Sequence, residues 1–192
     1  MVLFFQINVF DLSQDCEDEA LTTSLNAEAS IRSVTFLTEN KLSVILDHEE
    51  AFIWQFEDSE PSKNFVREDF TVAIKRKITP WTYIGGCHFD SETKKTYFLA
   101  GSSFESNPCL RVLNLKKFEK LKPLADLKSG KIQNSTVRCS VLAKDGATFV
   151  TGNENGFLFV WKNEENVVGE VEKSSQSLKA MKKMKISKKP YE

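Results

Sequence analysis

The sequence predicts an all-β protein with a basic carboxyl-terminal segment, on three observations. Short runs rich in Val, Ile, Phe, Tyr and Thr recur between turn residues up to about Lys173. Several runs alternate apolar with polar residues, which is the period of a strand whose two faces are differently solvated. No segment before residue 173 keeps the 3.6-residue period of an amphipathic helix. Parallel strands need crossover helices, so an α/β fold is excluded.

The strand-forming runs can be placed in order along the chain. They are residues 7–10, 31–37, 42–46, 97–100, 110–115, 149–151 and 157–161. Further strands are expected near residues 70–75, 83–89 and 136–142. Asp145-Gly146 and Asn155-Gly156 separate the last three strands, and both dipeptides are strong hairpin signals.

One short pattern, apolar-x-apolar-large-polar, recurs four times. Its copies end at residues 11, 55, 114 and 162, at intervals of 44, 59 and 48 residues. A repeat of roughly 40–45 residues that closes on a strand is typical of propeller proteins, so the intervals indicate such a repeat with one insertion.

The last copy carries a family resemblance. Residues 151–162, TGNENGFLFVWK, resemble the S-G-x-x-D-G-x-φ-x-φ-W-D signature of WD40 repeats, with Asn155 and Lys162 in place of the two Asp residues. The resemblance spans residues 6–165. It implies a partial WD40-type β-propeller over residues 1–172, with about three four-stranded blades plus strands of a fourth. WD40 blades often contain a Ser-His-Asp-Trp hydrogen-bond network after a Gly-His pair. His48 and His88 do not follow Gly, so we expect this network to be incomplete in every blade.

The number of repeats bears on how the chain works. Propellers usually have roughly 4–8 blades, and the family resemblance implies about seven. We therefore expect the carboxyl-terminal half of a longer protein, a truncated isoform or a fragmentary gene model. Open sheet edges would make the isolated chain depend on the missing blades or on self-association.

Charge divides the chain into an acidic body and a basic tail. Residues 173–192 contain seven lysines and one glutamate, a net +6, whereas residues 1–172 hold 19 basic and 26 acidic side chains, a net −7. The tail is expected to be disordered or weakly helical. Its lysines form a candidate nuclear localisation signal: Lys179, Lys182, Lys183, Lys185, Lys188 and Lys189. The alternative is a solubilising tail.

An acidic loop follows the first copy of the pattern. Asp15, Glu17, Asp18 and Glu19 form a candidate patch for a basic partner, such as a histone or a ribosomal protein. The alternative is a solvated loop with no partner.

Three other features contain residue types that occur in chemical sites. Cys87-His88 is an adjacent thiol–imidazole pair, but neighbouring strand residues point to opposite faces. Residues 47–50, Asp-His-Glu-Glu, fit a hairpin turn better than a metal site. Gly85-Gly86 lacks the context of a phosphate loop, and a strand bulge or a close backbone contact explains it better. The sequence predicts no catalytic, cofactor-binding or metal-ligating residues, and four reduced cysteines, Cys16, Cys87, Cys109 and Cys139.

These observations favour a non-catalytic scaffold for protein partners, possible roles being assembly or chaperoning of basic nuclear or ribosomal clients. The competing hypotheses are a truncated product without independent function and an enzyme, for which no catalytic constellation is found. We expect an intracellular protein of the cytoplasm or nucleus, because no signal peptide or membrane-spanning run is visible. Sequence-specific nucleic-acid binding is not expected, since Tyr191 is the tail's only aromatic residue.

Overall fold

The computed structural model describes residues 5–106, 108–128, 135–163 and 177–185, with Asn163 and residues 177–185 described by their backbone alone. The chain divides into two compact units, Met1–Val66 and Arg67–Glu192. Within the described ranges, no helix is both long enough and apolar enough to cross a membrane.

The part of the first unit that the structure describes contains six strands and one short helix. They are β1 (Gln6–Phe10), α1 (Glu17–Ala20), β2 (Leu21–Asn26), β3 (Ile31–Thr38), β4 (Lys41–Leu46), β5 (Ala51–Gln55) and β6 (Lys63–Phe65). β1 and β2 form an antiparallel pair. The other four strands form an antiparallel meander in the order β3-β4-β5-β6.

The described residues of the second unit form eight strands, one α-helix and one 3₁₀ turn. They are α2 (Arg67–Ala73), the 3₁₀ turn Thr79–Trp81, β7 (Thr82–Asp90), β8 (Lys95–Ser102), β9 (Cys109–Lys116), β10 (Lys120–Lys128), β11 (Val137–Leu142), β12 (Thr148–Asn153), β13 (Phe157–Asn163) and β14 (Ser177–Lys185). β7 to β10 form one antiparallel meander and β11 to β14 form another. A parallel pairing of β10 with β14 joins the two into one eight-stranded sheet.

The repeated sequence pattern occupies the same place in each meander. It forms β5, β9 and β13, the third strand of each meander, and it forms β1, which is followed by the outer strand β2. The prediction of three four-stranded units plus strands of a fourth is therefore confirmed.

The middle strands are buried because side chains cover both of their faces. Every residue of β8 except Lys95 is buried, and its run of apolar residues matches that environment. One core cluster in the second unit combines residues of both meanders, among them Leu99, Val112, Phe149 and Trp161. The first unit has a core of its own around Trp54 and Leu25.

A turn motif also repeats, and the sequence analysis missed it. The hairpins β7–β8 and β11–β12 each contain Asp-x-x-Thr, with Asp90 and Thr93 in one and Asp145 and Thr148 in the other. The Thr148 hydroxyl donates to the Asp145 carboxylate at 2.6 Å, and Thr93 donates to Asp90 in the same way. These hydroxyl hydrogen bonds are the main reason that the pKa of each aspartate is lowered.

The strand expected near residues 70–75 is wrong, because this segment contains the helix α2. Phe70, Ala73 and Ile74 are buried, and their spacing of three and four residues places them on one face of a helix. The Phe70 ring packs against Phe98 of β8 at 5.4 Å. The outer strand of the first meander is the shorter β6.

The prediction of a disordered or weakly helical tail is also wrong for residues 177–185, which form β14. This strand pairs with β13 from Phe157↔Lys185 to Asn163↔Leu178 and with β10 over three residues. The open edge of β13 offers backbone hydrogen bonds that a helix or a coil could not use, so tertiary context overrides the local preference.

Candidate functional site

The predicted acidic patch lies on the surface of the first unit. Asp15, Glu17, Asp18 and Glu19 are all exposed, and the last three form the first turn of α1. The Asp11 backbone N–H donates to the carbonyl of Ala20 at 2.7 Å, which holds the helix against the end of β1. The structure therefore places three of the carboxylates on one short, anchored helix and Asp15 in the loop just before it.

Asp11 fixes the loop that leads into this element. Its carboxylate accepts hydrogen bonds from the Ser13 backbone N–H at 3.0 Å, the Ser13 hydroxyl at 2.7 Å and the Gln14 amide at 3.1 Å. These bonds, led by the backbone one, lower the pKa of Asp11. The carboxylate that closes the loop is thus ionised at neutral pH.

Exposed apolar side chains lie on the same hairpin, and the sequence analysis did not single them out. Phe10 and Leu21 are opposite one another in the β1–β2 register, and they are 39% and 44% exposed. Leu12, in the loop, is 94% exposed. Large apolar groups next to a cluster of carboxylates are typical of a surface that contacts another protein.

The predicted basic signal is only partly described. Lys179, Lys182, Lys183 and Lys185 belong to β14, whereas Lys188 and Lys189 lie outside the described residues. The backbone of β14 is paired with β13 and β10. A receptor that reads an extended lysine segment has to compete with this pairing, so localisation by this segment stays a prediction.

The last copy of the repeated pattern has a buried indole hydrogen bond. The Trp161 ring N–H on β13 donates to the Thr151 hydroxyl on β12 at 2.9 Å. Both residues are buried, at 3% and 0% exposure. This contact corresponds to the Trp and Ser/Thr part of the hydrogen-bond network that the sequence resemblance implies. His48 lies in the β4–β5 turn, and His88 lies on β7.

His88 links the two meanders of the second unit. Its Nε2 lies 2.8 Å from the Ser140 Oγ on β11, and that hydroxyl donates to the carbonyl of Gly85 at 2.8 Å. The β7–β8 register shifts between Ile84 and Gly86, and a Cβ on Gly86 would lie 2.3 Å from the Ser140 Oγ. The interpretation of the Gly pair as a strand bulge is confirmed, and the close contact at Gly86 is with the Ser140 side chain.

The Ser140–His88 contact does not have the proton arrangement of a nucleophile and its base. The Ser140 hydroxyl has a single proton, so it cannot donate to the Gly85 carbonyl and to the His88 Nε2 at the same time. Burial also lowers the pKa of His88 to about 4, whereas a general base works best with a pKa near 7. The contact is a structural link between the two meanders of the second unit.

The turn at residues 47–50 is held by an ion pair. Arg32 donates to both carboxylate oxygens of Glu49, at 2.8 and 3.0 Å, and His48 lies 3.3 Å from Glu50. Glu49 has φ of +68°, a left-handed conformation that completes the turn. Glu49 is the most buried acidic residue of this turn, and its carboxylate is paired with the Arg32 guanidinium.

Solved structures with similar sheets identify the architecture of this chain. The β-propeller domain of Cps50 (Swd1) from Myceliophteria thermophila superposes with a TM-score of 0.63 at 10% identity, over 94% of this chain and 52% of that one. Hsv2 from Kluyveromyces lactis gives 0.55 at 12% identity, over 95% and 56%. The chain folds as a partial WD40-type β-propeller.

This propeller segment spans about half the length of the solved propellers that it matches. The carboxyl-terminal WD40 domain of Sif2 matches less well, with a TM-score of 0.49 at 11% identity over 73% of this chain and 36% of that one. No protein-family model matches the sequence. Because the fold is that of a partial propeller, each four-stranded meander corresponds to a blade. The contact of His88 with Ser140 joins the two blades of the second unit.

The His88–Ser140 contact between these two blades predicts that the stability of the chain depends on pH. The pKa of His88 falls from 6.5 to about 4 on folding, because the folded chain buries the neutral imidazole. The stability that depends on neutral His88 is therefore complete above pH 6.5 and is lost as the pH falls through 6.5 towards 4. The loss amounts to at most about 3 kcal/mol in the free energy of unfolding. We expect urea titrations of His88→Gln to show a shallower decline over this range than the wild type. An unchanged slope, equal to that of a His48→Gln control, would contradict the assignment.

Proposed function

We propose that this propeller segment is a non-catalytic scaffold whose acidic hairpin binds a basic protein segment. The observation that carries the proposal is the position of Asp15, Glu17, Asp18 and Glu19 beside exposed Phe10 and Leu21 on one hairpin. We call this β1–β2 hairpin, with the loop and helix that connect its strands, the acidic hairpin.

The charge of the chain supports the choice of a basic partner. Residues 1–172 carry a net charge of −7, of which the four patch carboxylates supply −4, so the remaining residues add a net −3 to the local charge. Such a field steers a cationic segment towards the surface and raises the rate of association, with an effect that falls as salt increases.

The apolar residues indicate what else the partner contains. Phe10 and Leu21 together can cover aliphatic groups, and Leu12 extends this area away from the sheet. A lysine- or arginine-rich segment with interspersed aliphatic residues matches both parts of the surface. Histones and ribosomal proteins have this composition, which favours an assembly factor or a chaperone for such clients. We propose that this role is intracellular, in the cytoplasm or the nucleus.

Charge reversal tests the proposal. We expect the triple variant Glu17→Lys, Asp18→Lys and Glu19→Lys to lose about tenfold or more in affinity for a fluorescent peptide of Lys and Leu. The measurement is fluorescence anisotropy at two salt concentrations, and the wild-type affinity should fall with added salt.

A matched control separates the patch from the net charge. Glu39→Lys, Glu60→Lys and Glu92→Lys change exposed carboxylates elsewhere by the same total charge. This control should keep most of the affinity. Equal losses in both triple variants would contradict a localised site, and no loss in either would overturn the proposal.

A second proposal concerns the assembled state. Of the described strands, only β2 pairs with β1, so the β1–β2 pair lacks the two inner strands present in each meander. We propose that two further strands complete this blade, supplied by additional propeller sequence or by a second copy of the chain. The alternative, a truncated product without independent function, predicts that the chain binds no basic peptide at all.

A further inference from the structure

A second exposed surface, on the second unit, combines aromatic and basic residues. Trp81 is 48% exposed and Ile78 is 42% exposed, and both lie in the segment between α2 and β7. The Trp81 ring packs against Phe104, in the β8–β9 loop, with 6.1 Å between ring centroids. We call Ile78, Trp81 and Phe104 the tryptophan platform.

The platform is held rigidly by its backbone. The N–H of Ser103 donates to the carbonyl of Trp81 at 3.0 Å, which ties the two loops together. Pro80 lies inside the 3₁₀ turn and fixes its own φ. The next residue, Thr82, is buried and its hydroxyl bonds to that of Thr71 at 2.8 Å. A partner would therefore meet a preformed aromatic surface and would bear little of the cost of ordering it.

The charges around the platform are mainly positive. Lys75, Arg76 and Lys77 directly precede Ile78, and Lys75 and Lys77 are exposed. Glu105 is the exposed acid of the loop that carries Phe104. This local excess of positive charge contrasts with the net −7 of residues 1–172.

Arginines also lie at the far end of the Phe104 loop. Burial raises the pKa of the Cys109 thiol, at the start of β9, and the charges of Arg76 and Arg111 oppose that rise. Arg111 in turn donates to the carbonyl of Ile74 at 2.6 Å, just before the basic run. The cations and the two loops thus belong to one connected structure.

We propose that the tryptophan platform binds an acidic peptide segment that contains one large apolar residue. The apolar residue packs on Trp81 and Phe104, since buried Trp contacts dominate many interfaces. The carboxylates of the segment pair with Lys75 and Lys77. This surface lies in the other unit from the acidic hairpin and selects the opposite charge, so the proposal does not depend on the proposed function.

The chain provides its own reporter of binding. It has three tryptophans, of which Trp54 and Trp161 are 1% and 3% exposed. A Trp-free peptide of Glu and Asp with a central Leu should shift the emission of exposed Trp81 to shorter wavelength. The Trp81→Phe variant should lose this shift.

Variants measured with a fluorescein-labelled version of the same peptide complete the test. We expect Trp81→Ala and Ile78→Ser to weaken binding, by about tenfold for Trp81→Ala, and Lys77→Glu to weaken it several-fold. Val141→Ala and Lys120→Glu, at other exposed positions of the same unit, should bind like the wild type. Circular dichroism checks that each variant is folded.

The peptide series includes the outcomes that would overturn the proposal. Equal binding of a peptide with Gly in place of Leu would exclude the apolar anchor, and equal binding of a Lys-rich peptide would exclude the charge preference. Absence of peptide binding, together with self-association that Trp81→Ala abolishes, would assign the platform to a second copy of the chain instead.

Discussion

Removal of β14 should destabilise the second unit strongly. A chain that ends at residue 176 lacks the strand that pairs with both β13 and β10. Net backbone hydrogen bonds contribute about 0.5–1.5 kcal/mol each, and part of this gain is offset by the cost of ordering the strand. We expect a loss of about 3 kcal/mol in the free energy of unfolding, or a fall in Tm of roughly 10 °C, measured by thermal and urea denaturation.

A chain that ends at residue 185 is the matched control. It keeps β14 and removes Lys188 and Lys189, so it separates the strand from the remaining charge of the tail. This control should unfold like the full chain. The shorter chain should also associate with itself, because the edge of β13 becomes available for pairing. If both truncations melt like the full chain, β14 has no stabilising role.

Replacement of Trp161 should have an effect of similar size. The side chain is buried in the core shared by the last two blades, and its indole N–H bonds to Thr151. Trp161→Ala removes a large buried ring and leaves a cavity, at a cost of about 3–5 kcal/mol. We expect a chain that is partly unfolded at room temperature, with a loss of near-ultraviolet circular dichroism.

Two milder variants divide this loss into its parts. Trp161→Phe keeps most of the apolar contact and loses the hydrogen bond, whereas Thr151→Val keeps the ring but leaves its N–H without an acceptor. An unsatisfied buried donor costs about 1–3 kcal/mol, so Thr151→Val should be destabilised by that amount. Trp81→Ala, at an exposed position, should leave the unfolding free energy nearly unchanged. A comparable loss for Trp81→Ala would contradict the ranking by burial.

The sequence predicted the strands that carry strong apolar patterns and missed the polar ones. The four copies of the repeated pattern all form strands, because alternating large apolar residues favour a sheet with a buried face. The outer strands β2 and β10 were not predicted. β2 is LTTSLN and β10 begins with lysine, so their strand form depends on pairing with β1 and β9.

The candidate surfaces show the same division. The acidic residues were visible in the sequence, because charge runs can be read without a structure. Their exposed neighbours Phe10 and Leu21 are 11 positions apart, and only the β1–β2 register brings them together. Trp81 and Phe104 are joined in the same way by the bond from Ser103.

By itself the sequence determined the all-β class, the repeat and its four endings, and the acidic loop that follows the first copy of the pattern. These depend on local periodicity, turn chemistry and charge, which act over a few residues. Only the tertiary structure decided that Arg67–Ala73 is a helix and that Ser177–Lys185 is a strand between β13 and β10. Both outcomes depend on distant partners, since a segment with weak local preference takes the form that satisfies its backbone and buries its apolar groups.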